Sequence, residues 1–246
     1  MVEPVGIGGL AKALATGSSE HIALVGGGGK TTALFALGRQ LSGSTVLTTT
    51  TKMGRDRTGG NVVLFSPSDL EVARGLAQHQ TVLAWGQDKG HKAAGVSPET
   101  CDRWFTMADH VVVEADGSHQ RPFKAPRPFE PVIPATSTMV VACVGSDALG
   151  RVIADQCQRP LRVAAAAGCS PYLRLTPERL VMVLLSDRGS RKECPPTARF
   201  VVLINKVDET HRGYVDEVVD IIGDAAPVVA IAAFDPSQSP EVRGST

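Results

Sequence analysis

Gly26, Gly27, Gly28 and Gly29 stand in a row, followed by Lys30, Thr31 and Thr32, between the apolar run Ile22 to Val25 and an apolar-periodic stretch that ends at Leu41. Glycine gives up side-chain packing and loses more backbone freedom on folding than any other residue, so four together mark a place where something must come close to the main chain. A strand, a glycine turn and a Lys-Thr-Thr opening a helix make the layout of a phosphate-binding loop. Successive N–H groups face one cavity, the helix N-terminus adds partial positive charge, and any Cβ there would collide with bound phosphates. On this reading the four glycines form the cradle and Lys30 reaches the β- and γ-phosphates. The Thr31 hydroxyl ligates Mg²⁺, with Thr32 completing the loop.

A magnesium nucleotide also needs a carboxylate at the tip of a neighbouring strand. "HVVVEADGS" supplies two, because Val111 to Val113 read as a buried strand with Glu114 and Asp116 at its carboxyl end. Alternate residues on a strand face the same side, so both remain candidates for the metal and for orienting the attacking group. In "FVVLINKVDE" the strand ends in Asn205-Lys206-Val207-Asp208, an N-K-x-D pattern. The Asp208 carboxylate can accept from guanine N1–H and its 2-amino group, where adenine offers no donor. Asn205 can meet the O6/N7 edge, and the Lys206 stem can lie over the ring. A wrong base would leave buried polar groups unpaired, at roughly 1–3 kcal/mol each, so GTP is preferred over ATP.

Other groups fall near the same rim. "VLTTTTKM" sets Thr50 and Lys52 just beyond a strand, where they would contact phosphate, metal or water, unless these hydroxyls simply cap their own strand end. "RPFKAPRPFEPVIP" carries five prolines from Pro122 to Pro134 and reads as a stiff extended loop. Its Arg121, Lys124 and Arg127 are placed to hold an anionic second substrate or the transferring phosphoryl, and Glu130 to pair with one of them. Gly145, Ser146 and Asp147 end a further strand. His91, His110 and His119 are isolated and read as surface or satisfied residues.

The elements that must position these groups are legible as hydrophobic pattern. Apolar, β-branched runs recur at Ile22 to Val25, Thr45 to Leu47, Val62 to Phe65, Val82 to Trp85, Val111 to Val113, Val140 to Val144, Phe200 to Ile204 and Val228 to Ile231. Most are continuous, as expected of strands covered on both faces. Helical stretches lie between them: Thr32 to Leu41, then stretches opening at Ser68, Ser97, Thr176 and Tyr214. "SPET" and "TPER" place a hydroxyl at the N-cap and Pro at the first helical position. The alternation predicts an α/β fold, a three-layer α/β/α sandwich around a mostly parallel sheet, P-loop NTPase-like in its loop placement. We expect one such domain over 1–246, with 1–20 as an N-terminal extension and 235–246 as a loose tail.

Lysine plus arginine total 25 and aspartate plus glutamate total 25, so no broad basic surface awaits nucleic acid. The five cysteines form no C-x-x-C pair, which disfavours a zinc site and a disulfide framework. No window approaches the ~18 apolar residues of a spanning helix, and no basic leader opens the chain, so a membrane partner is not expected and the protein reads as cytoplasmic. The oligomeric state has no signature in the sequence.

Leu24 stands where the longer G-x-x-x-x-G-K-[ST] pattern has its first glycine. The shorter G-x-x-G-K-T-T spacing resembles the loops of some ATP-dependent ligases. It therefore leaves an ATP-dependent ligase or small-molecule kinase open beside a GTP-hydrolysing enzyme, and a nucleotide-gated switch or scaffold open beside both. Taken in order, "VGGGGKTT", "TTTTKM", "VVVEADGSHQRPFKAPRPFEPVIP", "GSDALG" and "LINKVD" resemble the selenium-dependent hydroxylase accessory proteins, also called YqeC-like selenium cofactor biosynthesis proteins. The likeness runs over nearly the whole chain and is most distinctive in the proline-rich segment. It implies a P-loop nucleotide-binding protein acting beside the maturation proteins of molybdenum hydroxylases that carry a labile selenium. No cysteine here sits in an activating motif.

Overall fold

In the computed structural model the described residues are 2–233; residue 1 and residues 234–246, including the tail expected over 235–246, lie outside them. Eight strands form the main sheet: β1 (Glu20–Gly26), β2 (Thr45–Thr49), β3 (Val62–Phe65), β4 (Thr81–Trp85), β5 (His110–Glu114), β6 (Met139–Gly145), β7 (Arg199–Val207) and β8 (Val228–Ala232). Their spatial order is β8-β7-β6-β1-β5-β2-β4-β3, and every neighbouring pair is parallel. Each apolar run read from the sequence lies inside one of these strands.

Burial on both faces explains why the runs are continuous. Alternate residues of β1 serve opposite cores. Ile22 and Leu24 pack with Leu34 and Leu37 of α1 (Lys30–Gln40) on one face. Ala23 and Val25 face the other side, where α4 (Pro160–Ala166), α5 (Pro177–Leu185) and α6 (Arg212–Ile222) contribute Val163, Leu184 and Val218. Farther along that second face, Val46, Val82 and Val113 meet Val72 of α2 (Asp69–Gln78) and Trp104 of α3 (Pro98–Phe105). The result is the expected three-layer α/β/α sandwich.

Helix starts follow their caps. Ser97 and Thr176 accept from the amides of Thr100 and Arg179, each with Pro in the first turn. Ser68 and Glu71 close a full capping box at α2, a Ser-x-x-Glu signal that the sequence carried in plain view. The N-terminal segment folds as well. Leu10–Ala13 is a short helix, and Val5 pairs in parallel with Ile231 at the open side of β8.

The topology sets the site. α1 carries the chain from β1 past β5 to β2, while the proline-rich connection from β5 crosses back over the carboxyl end of β1 to reach β6. Connections therefore diverge at β1, and the crevice outside its carboxyl end is where an open parallel sheet binds ligands. Register brings the tips together. Leu24 and Thr49 both lie opposite Glu114, Gly26 opposite Cys143, and Gly145 opposite Asn205.

The proline-rich loop is buried in its first half and exposed from Arg127 to Phe129. Pro122 to Pro126 are buried, and Phe123–Lys124 pairs in parallel with Cys157–Gln158. A small antiparallel sheet of Lys52–Gly54, Lys92–Ala94 and Asp88–Lys89 stands beyond β2.

Candidate functional site

Four strand ends converge on the first turn of α1. Gly29 is the N-cap, at φ +114°, and offers no side-chain cap. The N–H groups of a first helical turn have no partner inside the helix, so this end is open to an acceptor from outside. Thr31 is partly exposed and Thr32 exposed, so the mouth of the helix reaches solvent.

The glycines before it are packed by main chain. A Cβ on Gly26 would lie 2.4 Å from the Cys143 carbonyl oxygen, on Gly27 2.6 Å from that of Arg121, and on Gly28 2.1 Å from the Gly145 nitrogen. Gly26 and Gly28 also hold φ of +92° and +68°. The amides of Gly26, Gly27 and Gly28 donate to Asp116 Oδ2, the Cys143 carbonyl and the Arg121 carbonyl. The space expected to hold phosphates at Gly26 to Gly28 is thus filled by neighbouring backbone, and a Cβ on Gly29 would lie 2.8 Å from Nδ2 of the Asn205 side chain.

Lys30 points inward. Its side chain is 2% exposed, donates to the Gly26 carbonyl, and its Nζ stands 3.1 Å from Asp116 Oδ1, a charge contact outside hydrogen-bonding geometry. Burial opposes the ammonium, but the carboxylates of Asp116 and Glu114 outweigh it and hold Lys30 above its ordinary pKa. Asp116 is equally buried. Burial pushes its carboxyl up, yet Lys30 and Lys124 together hold it below the usual carboxylate range.

Glu114 behaves in the opposite sense. Burial raises it beyond what Lys30 and the Thr31 hydroxyl take back, and Thr31 Oγ1 donates to its Oε2 at 2.9 Å. Two carboxyls on one strand end are therefore driven apart by their surroundings, one fixed as an anion between two lysines and one poised beside a hydroxyl.

The proline loop brings one of its cations into this cluster. Lys124 Nζ lies 2.9 Å from Asp116 Oδ2 and 3.0 Å from Glu130 Oε2, and donates to the Gly117 carbonyl at 2.8 Å. Glu130 in turn pairs with Arg159, a residue with no signal in the local sequence. Arg121 donates instead to the Asp155 carbonyl, and Arg127 lies over the Phe129 ring. Thr49 and Thr50 hydroxyls donate to the Glu114 and Val132 carbonyls, fastening β2 to its neighbours, and Lys52 is exposed on the small sheet.

On the other flank, Asn205 Nδ2 donates to the Gly28 carbonyl at 2.8 Å. The ladder between β7 and β8 slips between Ile204 and Val207, and Lys206 adopts φ +61°. A bulge and a left-handed non-glycine residue at a strand end re-aim side chains. Ser146 Oγ holds the Lys206 carbonyl at 2.6 Å, while Lys206 Nζ reaches Asp147 Oδ2 at 2.7 Å. Asp208 is exposed, with Oδ1 engaged by His211 at 2.7 Å.

All five cysteines are free thiols. Burial pushes Cys143, beside the loop, up to about 12. Among the described residues no three His, Cys, Asp or Glu side chains gather as metal ligands, and no helix is long and apolar enough to cross a membrane.

Residues 22–161, which include the glycine loop, Glu114, Asp116 and the proline loop, match the family model described as YqeC protein. The chain is also 33% identical over 196 residues to the uncharacterized protein YqeC of Escherichia coli (strain K12), covering 76% of each chain. The loop-and-carboxylate arrangement above is thus built largely from the part of the sequence that the family model spans, and the chain belongs to the YqeC family.

Proposed function

We propose that this chain binds a Mg²⁺ nucleoside triphosphate at the mouth of α1, GTP in preference to ATP, and hydrolyses it or transfers its γ-phosphoryl. The observation that carries the reading is the uncapped first turn of α1, flanked by Lys30 on one side and by the Thr31–Glu114 pair on the other. Main-chain amides at a helix N-terminus with an adjacent ammonium suit a polyphosphate. One hydroxyl and one carboxylate suit Mg²⁺, which keeps most of its shell for phosphate oxygens and water. Thr31 and Glu114 would hold the metal. Asp116, gripped by two lysines, would orient the loop instead. The ion would supply charge neutralisation on the transferring phosphoryl; the protein supplies position.

The base preference rests on Asn205, Lys206 and Asp208 at the adjoining strand end, where the bulge and the left-handed Lys206 leave Lys206 and Asp208 exposed while Asn205 stays buried against the glycine loop. A role beside molybdenum hydroxylase maturation rests on the family resemblance, most of all on the proline-rich segment. Equilibrium binding of GTP and ATP with Mg²⁺, before and after Lys30→Ala, tests the reading. GTP is expected to bind more tightly and the variant to bind neither; wild-type protein that binds neither nucleotide overturns it.

One feature favours phosphoryl transfer to a small molecule. A cleft of about 390 Å³, lined in part by Ser66, Gln87, Ser97, Thr100 and Arg103, opens beyond the carboxyl ends of β3 and β4, on the same edge of the sheet. A volume of this size admits a small polar acceptor. Nucleotide turnover that stays at the rate of hydrolysis whatever acceptor is added would count for hydrolysis alone.

A further inference from the structure

Buried charges alternate in sign from the glycine loop to the start of α4. Lys30 meets Asp116 at 3.1 Å, Asp116 meets Lys124 at 2.9 Å, Lys124 meets Glu130 at 3.0 Å, and Glu130 meets Arg159 at 2.9 Å through each of its oxygens. The Asp116 and Lys124 side chains are 2% and 1% exposed. A carboxylate so placed must keep a partner at all times, because leaving it unpaired in the interior is far more costly than the pair is favourable.

We propose that Lys124 is a positioning residue for Lys30: as the standing counter-ion of Asp116, it makes the Lys30 ammonium exchangeable between that carboxylate and an incoming polyphosphate. The inference rests on the nucleotide reading above and adds to it a residue outside the phosphate loop. When Lys30 turns to a phosphate, Asp116 keeps Lys124 and the Gly26 amide, which donates to it at 3.1 Å. The four charges that remain, Asp116, Lys124, Glu130 and Arg159, cancel.

Lys124 can serve in this way because nothing about its own position depends on Lys30. It is held by the Gly117 carbonyl at 2.8 Å and by Glu130, and Glu130 is fixed from behind by the two-pronged Arg159. Without Lys124, drawing Lys30 away would leave Asp116 with a single amide. Lys30 would then stay on Asp116, and a polyphosphate would lose the cation it needs.

The test is a double-mutant cycle in Mg²⁺·GTP affinity, with wild type, Lys124→Met, Asp116→Asn and the double variant, and Lys124→Arg as the conservative replacement. Lys124→Met is expected to weaken GTP at least tenfold when Asp116 is charged and less than threefold in the Asp116→Asn background, with Lys124→Arg recovering most of the loss. Equal effects in the two backgrounds mean that Lys124 only supports the fold, and overturn the proposal. Should Lys124→Met fail to fold, as judged by its melting transition, the decision passes to two other variants. Lys124→Arg must keep affinity within threefold of wild type, and the double variant within threefold of Asp116→Asn; either one missing that mark overturns it. Wild-type protein that binds neither GTP nor inorganic triphosphate is a different failure, that of the nucleotide reading itself, and takes this inference with it.

Discussion

Asn205 donates from Nδ2 to the Gly28 carbonyl at 2.8 Å, joining residues 177 apart in sequence. The bond ties the glycine loop to the strand end that carries the N-K-x-D pattern, so the loop and the proposed base-reading end share a residue. Asn205 is buried and Asp208 is exposed, and this separates two consequences. Asn205→Ala strands a buried carbonyl and is expected to cost about 1–3 kcal/mol in denaturant unfolding, with GTP and ATP affinities falling together. Asp208→Ala is expected to leave stability nearly unchanged and to lower GTP affinity alone, drawing it toward that of ATP. If Asp208→Ala weakens both nucleotides by the same factor, the carboxylate does not read the base.

Gly28 tests the packing account of the glycine run. Its φ is +68°, and an added Cβ would lie 2.1 Å from the Gly145 nitrogen and 2.7 Å from its Cα, both main-chain atoms that cannot swing aside. Gly28→Ala therefore combines left-handed strain with overpacking, for about 3–5 kcal/mol of lost stability. Gly60 has φ +80° with nothing within 4 Å of its Cβ position, so Gly60→Ala carries the conformational strain alone and is expected to cost about 1–2 kcal/mol. Urea unfolding of the two variants measures the difference. Equal losses would mean that the close approach of β6 to the loop is not rigid.

The contrast between β1 and the charge chain shows what the sequence could disclose. Strands buried on both faces are apolar throughout, so most of the eight stood out as continuous runs, although the edge strand β3 leaves Val62 and Phe65 exposed, and α3 and α5 announced themselves through Ser97 and Thr176. α4 did not. Its N-cap is Arg159 at φ +59°, no hydroxyl precedes it, and its run of alanines has little periodicity to read. The loop, Glu114, Asp116 and Asn205 were legible because their chemistry is local: a glycine run, a strand tip, a four-residue motif. Arg159 was not, because its only mark is a partner 29 residues away, Glu130, reached through tertiary folding. The sequence places Lys124 as a cation facing an anionic ligand, whereas its charge is taken up by Asp116 and Glu130. Nothing in a sequence separates a lysine that faces solvent from one that neutralises a buried carboxylate.

Glu114 and Asp116 differ in their partners, and on that difference rests the proposal that Glu114 would hold the metal. Asp116 already faces two lysines and the Gly26 amide, while the Glu114 side chain accepts from Thr31 alone among the described residues. Glu114→Gln is expected to leave GTP binding in the absence of Mg²⁺ nearly intact and to erase the gain that Mg²⁺ gives, about tenfold or more for a carboxylate that holds the ion. Titrating Mg²⁺ at fixed GTP, with wild type and Asp116→Asn alongside, reads this out. A Glu114→Gln protein that keeps the full Mg²⁺ response would move the metal elsewhere.

His21 links the opposite end of the sheet to pH. The ring lies at the start of β1, wholly buried, with Nδ1 2.8 Å from Thr136 Oγ1, Asp102 Oδ1 at 3.9 Å and the Phe105 ring beside it. Burial lowers its pKa from 6.5 to about 4, against the weaker pull of Asp102. The native state therefore refuses a proton that the unfolded chain accepts below pH 6.5. Stability that is fully present above that value drains away as pH falls toward 4, by about 2 kcal/mol at pH 5 and about 3 kcal/mol in all. Denaturant unfolding at pH 7 and pH 5 measures the slope, and His21→Leu isolates the share of this residue, since the remaining carboxylates titrate in both proteins. The variant is less stable at pH 7, having lost the bond to Thr136, but its stability should fall between the two pH values by about 2 kcal/mol less than that of wild type. Parallel slopes would show that the imidazole takes up its proton in the folded protein, and that Asp102, not burial, governs it.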